Sequence, residues 1–118
     1  MRILIVDDAA IERAIFARIA LALGHEIAGE TGDLEMAVQL AGRLAPDLIV
    51  VDGRLPPLGG PGAVAMLRSA APQSALALVL ALGELDLVRA GRAAGAAAIL
   101  RRPLLATQVE AALRGLVR

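Results

Sequence analysis

Short apolar runs alternate with longer amphipathic segments along the chain. Residues 3–6 and 47–51 are almost uninterruptedly apolar, and residues 75–81 are entirely aliphatic. Runs of this length without polar alternation are typical of parallel strands that helices cover on both faces. We therefore predict buried strands at these three places.

Residues 10–23 are predicted to form the first helix. Apolar residues recur there every four positions, which predicts one face toward the core, and Gly24 follows as a stop signal. The charged Glu12 and Arg13 are expected to turn mostly away from that face. The apolar row consists of Ile11, Ile15, Ile19 and Leu23.

Turn signals and helical periodicity predict the remaining elements. Asp33 is expected to cap the second helix, because an Asp side chain accepts hydrogen bonds from first-turn amides, and Pro46 ends that helix. Pro and Gly over residues 56–61 predict a loop. The further strands are residues 26–30 and 97–100, and the further helices are residues 34–45, near 62 to before 72, 85–94 and 104–117.

Five strands thus alternate with five helices over residues 1–118, which we take as a single domain. This alternation predicts an α/β fold with a parallel sheet, helices on both faces and right-handed crossovers. For five such units the expected architecture is a doubly wound (βα)5 flavodoxin-like domain with strand order 2-1-3-4-5. Ligands of such folds bind at the carboxyl ends of the first and third strands.

Composition removes several classes of function. The chain has no Cys and no Lys, which excludes thiolate chemistry, a P-loop lysine and Schiff-base lysines. Formal net charge is zero with scattered arginines, so we expect no direct nucleic-acid contact. Without a signal peptide or an apolar span, we expect a cytoplasmic protein with no membrane contact.

Three aspartates mark the expected ligand position. Asp7 and Asp8 directly follow the first strand, and Asp52 directly follows the third. Clustered carboxylates stay ionised only beside a compensating positive charge, and oxygen-only ligands suit Mg²⁺ or Mn²⁺. For each aspartate taken alone, a role as a helix cap or turn residue is an equal alternative to a role as a ligand, and Asp8 before the first helix is the example. Their joint placement favours a metal pocket.

At this point the whole chain resembles the receiver domains of two-component response regulators. The resemblance is carried by strand-Asp7-Asp8, by strand-Asp52-Gly53-Arg54-Leu55-Pro56 running on to Gly59-Gly60, and by Ala94-Gly95-Ala96 followed by Arg102-Pro103.

The resemblance implies a role for each matching residue. Asp7, Asp8, Asp52 and the backbone carbonyl of Arg54 would hold Mg²⁺. Asp52 would be the phosphoacceptor, receiving the phosphoryl group from a histidine kinase or phosphotransfer protein. Arg102 replaces the family's phosphoryl-contacting lysine, with a fork geometry that differs from a lysine's. The Arg102–Pro103 peptide bond is expected to be cis, as at the matching family position.

Two positions depart from the family pattern. Counting back from Arg102 without a gap places Leu80 where receivers carry Ser or Thr, and Ile99 where they carry an aromatic switch residue. In the family that hydroxyl and that ring couple phosphorylation to a surface change. Leu80 and Ile99 are therefore expected to be degenerate switch positions.

Three hypotheses for function follow. The first is a phosphoacceptor module whose output is binding to a downstream protein target. The second is a pseudo-receiver that binds partners without phosphorylation, and Leu80 is the feature that separates the two. The third, a Mg²⁺-dependent phosphatase-like enzyme, is disfavoured by the lack of a general acid or base. We expect no enzyme beyond self-directed phosphoryl transfer.

The resemblance also suggests where two copies of the chain could meet. Family members often form homodimers through the fourth helix, fifth strand and fifth helix. In this chain five charged residues are expected around that face, so a solvated surface is the competing interpretation. They are Arg89, Arg92, Arg101, Glu110 and Arg114.

Overall fold

The computed structural model describes residues 1–116. The strands are β1 (Arg2–Val6), β2 (Glu26–Thr31), β3 (Leu48–Asp52), β4 (Ala75–Leu80) and β5 (Ala98–Arg101). The helices are α1 (Ala10–Ala22), α2 (Leu34–Leu44), α3 (Gly59–Ala70), α4 (Leu87–Ala94) and α5 (Ala106–Arg114), with a 3-10 turn at Leu82–Glu84. The last helix was predicted to reach Val117, which lies outside the described residues.

All strand pairs are parallel, and the sheet order is β2-β1-β3-β4-β5. This confirms the predicted doubly wound fold. The long apolar runs of β1, β3 and β4 account for the helices on both faces, because the side chains on either side of these strands need a cover. α1 and α5 cover one face, and α2, α3 and α4 cover the other. None of the helices within residues 1–116 combines the length and hydropathy needed to cross a bilayer.

The predicted core face of α1 is only half correct. Ile11 is 71% exposed and Ile15 is 40% exposed, whereas Phe16 and Ala20 are buried. A helix turns about 100° per residue, so a row with a spacing of four drifts by about 40° at each step. The row begins on the solvent side at Ile11 and reaches the core only near Ile19, which packs against the buried cluster.

Two local predictions near the site are also corrected. The segment expected to be a loop at residues 59–61 forms the first turn of α3. Pro61 is accommodated there because first-turn amides need no intrahelical partner. Asp52 is the last residue of β3 and does not follow it.

The capping prediction is confirmed, since the Asp33 side chain accepts a hydrogen bond from the Met36 amide at 2.9 Å.

Candidate functional site

The sheet brings three carboxylates together at its carboxyl edge. β1 pairs with β3 so that Val6 lies opposite Val51, which places the residues after Val6 beside the end of β3. One carboxylate oxygen from each of Asp7, Asp8 and Asp52 lies within 4.8 Å of the others. Asp7 and Asp52 are buried and Asp8 is exposed. Asp8 is therefore the most exposed acid of the cluster.

Local hydrogen bonds hold Asp7, the first acid after β1. Asp7 Oδ1 accepts from the Ala9 amide at 2.9 Å, and Arg13 Nη1 donates to the Asp7 carbonyl at 2.7 Å. The cap hypothesis for Asp8 is wrong, because Ala9 is the N-cap of α1 and no side chain caps it. Asp8 instead lines the open pocket together with Asp7 and Asp52.

Arg102 is the central cation of the pocket. Its guanidinium donates from Nη2 to Asp7 Oδ2 at 2.7 Å, from Nη1 to Asp52 Oδ1 at 3.2 Å and from Nε to Glu12 Oε2 at 3.0 Å. Arginine can bind three acids at once because its donors form a planar fork. The peptide bond between Arg102 and Pro103 is cis, as predicted.

Burial disfavours the charged forms of both inner acids. It raises the pKa of Asp7 above its ordinary value, and the neighbouring Asp52 charge adds to this, against the lowering effects of the Ala9 amide and Arg102. Burial also raises the pKa of Asp52, and Arg102 offsets only part of that rise. For Arg102, burial lowers the pKa, but the Glu12 hydrogen bond and the charges of Asp52 and Asp7 outweigh burial and raise it. The pocket therefore has more negative charge than Arg102 alone compensates.

Two further acids belong to the pocket, and sequence reasoning missed both. Glu12 was expected to turn away, yet it is half-buried and binds Arg102. The signal was its place in the first turn of α1, which begins beside the carboxyl end of β1. Glu84 lies in the 3-10 turn after β4 and is 3% exposed. Its signal was weaker: a Glu three residues after a possible cap position often reaches back to that residue's amide.

Arg54 contributes both its side chain and its position. Its guanidinium is paired with Glu84, and the residue lines the pocket with the three aspartates. Within residues 1–116, no backbone amide of the turns donates to the Arg54 carbonyl oxygen.

Comparison with known families gives a match over nearly the whole chain. The model of the response regulator receiver domain matches residues 3–114. The chain belongs to the receiver domain family. Receiver domains are signalling modules of two-component systems.

The chain is similar to two proteins, matching about half the length of the first and nearly all of the second. It is 38% identical over 104 residues to transcriptional regulatory protein PdtaR of Mycobacterium tuberculosis, which covers 86% of this chain and 49% of that protein. The chain thus spans about half the length of PdtaR. It is 31% identical over 112 residues to chemotaxis protein CheY of Thermotoga maritima, covering 95% of this chain and 93% of CheY.

Solved receiver structures agree with the fold. The signal receiver domain of the response regulator NarL from Mycobacterium tuberculosis superposes with a TM-score of 0.86 at 27% identity, covering 98% of this chain and 94% of that one. The receiver domain of sensor histidine kinase PA1611 from Pseudomonas aeruginosa, which carries a magnesium ion in its active-site cleft, has a TM-score of 0.84 at 23% identity over 98% of this chain and 95% of that one. At that identity the second likeness shows the fold alone.

A packed aliphatic side chain lies where the resemblance predicts a switch hydroxyl. Leu80 ends β4 and is fully buried. A Cβ built on Gly53 would lie 2.7 Å from Leu80 Cδ2 and 2.9 Å from the Val79 carbonyl oxygen. The space beside the residue that follows Asp52 is therefore filled, and glycine is required there.

Ile99 lies on β5, half-buried opposite Leu78 of β4. Its Cδ1 lies 3.8 Å from where a Cβ on Gly91 of α4 would be. The side chain therefore lies under α4 and carries neither a ring nor a hydroxyl that could exchange partners.

Proposed function

We propose that this receiver domain accepts a phosphoryl group on Asp52 in a Mg²⁺-dependent reaction. The observation that carries the proposal is the meeting of Asp7, Asp8 and Asp52 within 4.8 Å, with Arg102 bound to Asp52. The donor would be a histidine kinase or a phosphotransfer protein, and the output would be binding to a downstream protein target.

The chemistry of the donor set fits a hard divalent cation. Three carboxylates that each offer one oxygen suit Mg²⁺ or Mn²⁺, both of which prefer oxygen ligands. Asp7, Asp8 and Asp52, together with the Arg54 backbone carbonyl, would hold the ion. When bound, it would neutralise charge on the oxygens of the phosphoryl group.

The residues of the chain account for the transfer itself. A carboxylate oxygen of Asp52 attacks phosphorus, so that an O–P bond forms while the P–N bond to the donor histidine breaks. The imidazole nitrogen keeps the bonding electron pair and takes a proton from solvent. Arg102 holds Asp52 Oδ1 at 3.2 Å, which orients the nucleophile and places positive charge beside the transferring group.

The face formed by α4, β5 and α5 is the proposed surface for homodimer formation. Homodimer formation through α4, β5 and α5 competes with a solvated charged face, and in the structure Arg114 pairs with Glu110 of its own helix at 3.2 Å. Both side chains of that pair are largely exposed. Sedimentation with and without the phosphoryl group separates the two alternatives.

The proposed function is tested by intact mass after incubation with Mg²⁺ and acetyl phosphate, quenched in acid. The native chain is expected to gain one phosphoryl group and Asp52→Asn none. Asp86→Asn is the matched control, because Asp86 is exposed and makes no side-chain cap bond; it should be modified like the native chain. No gain on the native chain, beside a receiver that is modified, would contradict the proposal.

The alternative is a pseudo-receiver that binds partners independently of phosphorylation. The buried Leu80 and the half-buried Ile99 favour it, because neither can carry the family's paired motion. Under this alternative, Asp52→Asn leaves partner binding unchanged.

A further inference from the structure

Glu84 is a buried acid whose two oxygens are both bound. Its side chain is 3% exposed, Oε1 accepts from the Ala81 amide at 2.7 Å, and Oε2 is paired with the guanidinium of Arg54. Arg54 itself is 75% exposed, so the charge that balances Glu84 lies at the surface. A buried carboxylate needs such partners, since an unpaired one would be costly to desolvate.

The Glu84 carboxylate lies next to the proposed acceptor. A Cβ on Gly53, the residue after Asp52, would be 3.1 Å from Glu84 Oε1. The Arg102 amide donates to the Leu80 carbonyl at 2.9 Å. The next backbone group, the Ala81 amide, therefore lies at the same edge of the sheet as Asp52 and Arg102. Ala81 and Glu84 line the same open pocket as the three aspartates.

The partners of Glu84 are groups that bind anions well. A backbone amide at a strand end and a guanidinium both donate strong hydrogen bonds to phosphate oxygens. Arg102 is already bound to three carboxylates. The Ala81 amide and Nε of Arg54 are two further donors in this pocket, and Glu84 binds both.

We propose that the Glu84 carboxylate is an internal anion that a phosphoryl group on Asp52 displaces from Ala81 and Arg54, thereby moving the turn at residues 82–86. The proposal rests on the proposed function. A phosphoryl group brings close to two negative charges, which repel a neighbouring carboxylate and compete for its donors. The turn carries Leu82, which is 81% exposed, and Leu85, which is 36% exposed, so its movement changes an apolar surface.

This arrangement would couple the site to the surface without the usual hydroxyl. Leu80 offers no side-chain bond to a phosphoryl oxygen, whereas Glu84 lies four residues further on and is bound to the backbone of the same loop. The coupling would act through release of a carboxylate instead of recruitment of a hydroxyl. It needs a bistable element that phosphorylation biases, and the 82–86 turn is that element.

The first arm of the test measures the rate of phosphorylation by acetyl phosphate with Mg²⁺ in the native chain, Glu84→Gln and Asp86→Asn. Glu84→Gln keeps the shape of the side chain and removes its charge. We expect its rate to rise about fivefold, as for removal of one like charge near the acceptor. Asp86→Asn removes a charge from the same turn without touching Ala81 or Arg54 and should change the rate little.

The second arm measures hydrogen exchange of residues 81–86 by mass spectrometry. In the native chain, phosphorylation should speed exchange there, while Glu84→Ala should show fast exchange already without phosphate and no further change. If circular dichroism shows that Glu84→Ala is unfolded, the phosphorylation rates and the exchange at residues 81–86 in the native chain and Glu84→Gln still test the displacement.

The outcomes separate this proposal from the proposed function. Equal rates in the native chain and Glu84→Gln, with unchanged exchange at 81–86 on phosphorylation, overturn the displacement and leave acceptance on Asp52 standing. A phosphoryl group on Glu84→Gln alone supports Glu84 as a competing anion while contradicting acceptance by the native chain. No phosphoryl group on any of the three chains overturns both.

Discussion

Two neighbouring parts of the sheet edge are built from opposite kinds of residue. The ends of β1 and β3 carry Asp7, Asp8 and Asp52, which lie close together, and Arg102 binds Asp7 and Asp52. The end of β4 carries the fully buried Leu80, and β5 carries Ile99. The charged part carries the acids and the cation that we propose for accepting a phosphoryl group. The apolar part lacks the hydroxyl and the ring that the resemblance predicts for coupling phosphorylation to a surface change. Under the proposed function, acceptance and reporting would depend on different side chains on different strands, so each can be tested separately.

The largest expected effect tests whether the charged part depends on Arg102. Arg102→Met leaves Asp7, Glu12 and Asp52 without their shared partner, and we expect it to lower the free energy of unfolding by about 3 kcal/mol in EDTA. Chemical denaturation measures this. Added Mg²⁺ should recover part of the loss, because a divalent ion replaces the missing charge. Arg114→Met is the control: its pair with Glu110 is exposed, and similar losses in both variants would contradict the central role of Arg102.

The next effect tests how tightly the apolar part is filled. Gly53→Ala places a Cβ 2.7 Å from Leu80 Cδ2 and 2.9 Å from a backbone carbonyl, which cannot move aside cheaply. We expect a loss of about 2 kcal/mol in the free energy of unfolding, as for other overpacked sites. Gly83→Ala has no heavy atom within 4 Å and should be nearly neutral. If Gly53→Ala has the same free energy of unfolding as the native chain, the prediction that packing around Leu80 leaves no room for a Cβ is wrong.

The smallest effect concerns the pH dependence of the charged part without metal. Burial raises the pKa of Asp7 above its ordinary value of 3.8, so its protonated form favours the folded chain. That contribution is fully present below the unfolded pKa and is lost as pH rises through the higher folded pKa. In EDTA, the stability of the native chain relative to Asp7→Asn should therefore fall as pH rises from 3.8, and Asp7→Asn should be the more stable at pH 7.

Thermal unfolding across that pH range measures the difference. Asp86→Asn serves as the control for removing a surface acid. A native chain that gains stability relative to Asp7→Asn as pH rises would contradict the raised pKa. Added Mg²⁺ should reverse the order at pH 7, if Asp7 is a ligand as proposed.

Much of the fold and part of the candidate site could be predicted from sequence. Unbroken apolar runs predicted β1, β3 and β4, and the alternation with helices predicted the order of the sheet. That order by itself brought Asp7, Asp8 and Asp52 to one edge. The rotation of α1 could not be predicted, because a spacing of four does not determine where the row begins relative to the sheet. Ile11 is therefore exposed and Phe16 buried.

The sequence by itself determined the elements that depend on neighbouring residues: the strands, most helix ends, the cap at Asp33 and the strand ends on which the acids lie. Only the tertiary structure decided which side chains meet across long separations. Glu12 binds Arg102 from 90 positions away. Glu84 turns inward because the Ala81 amide and Arg54 satisfy its carboxylate beside Gly53. The physical reason is that periodicity sets which elements form, whereas the direction of a charged side chain depends on partners that only the folded chain supplies.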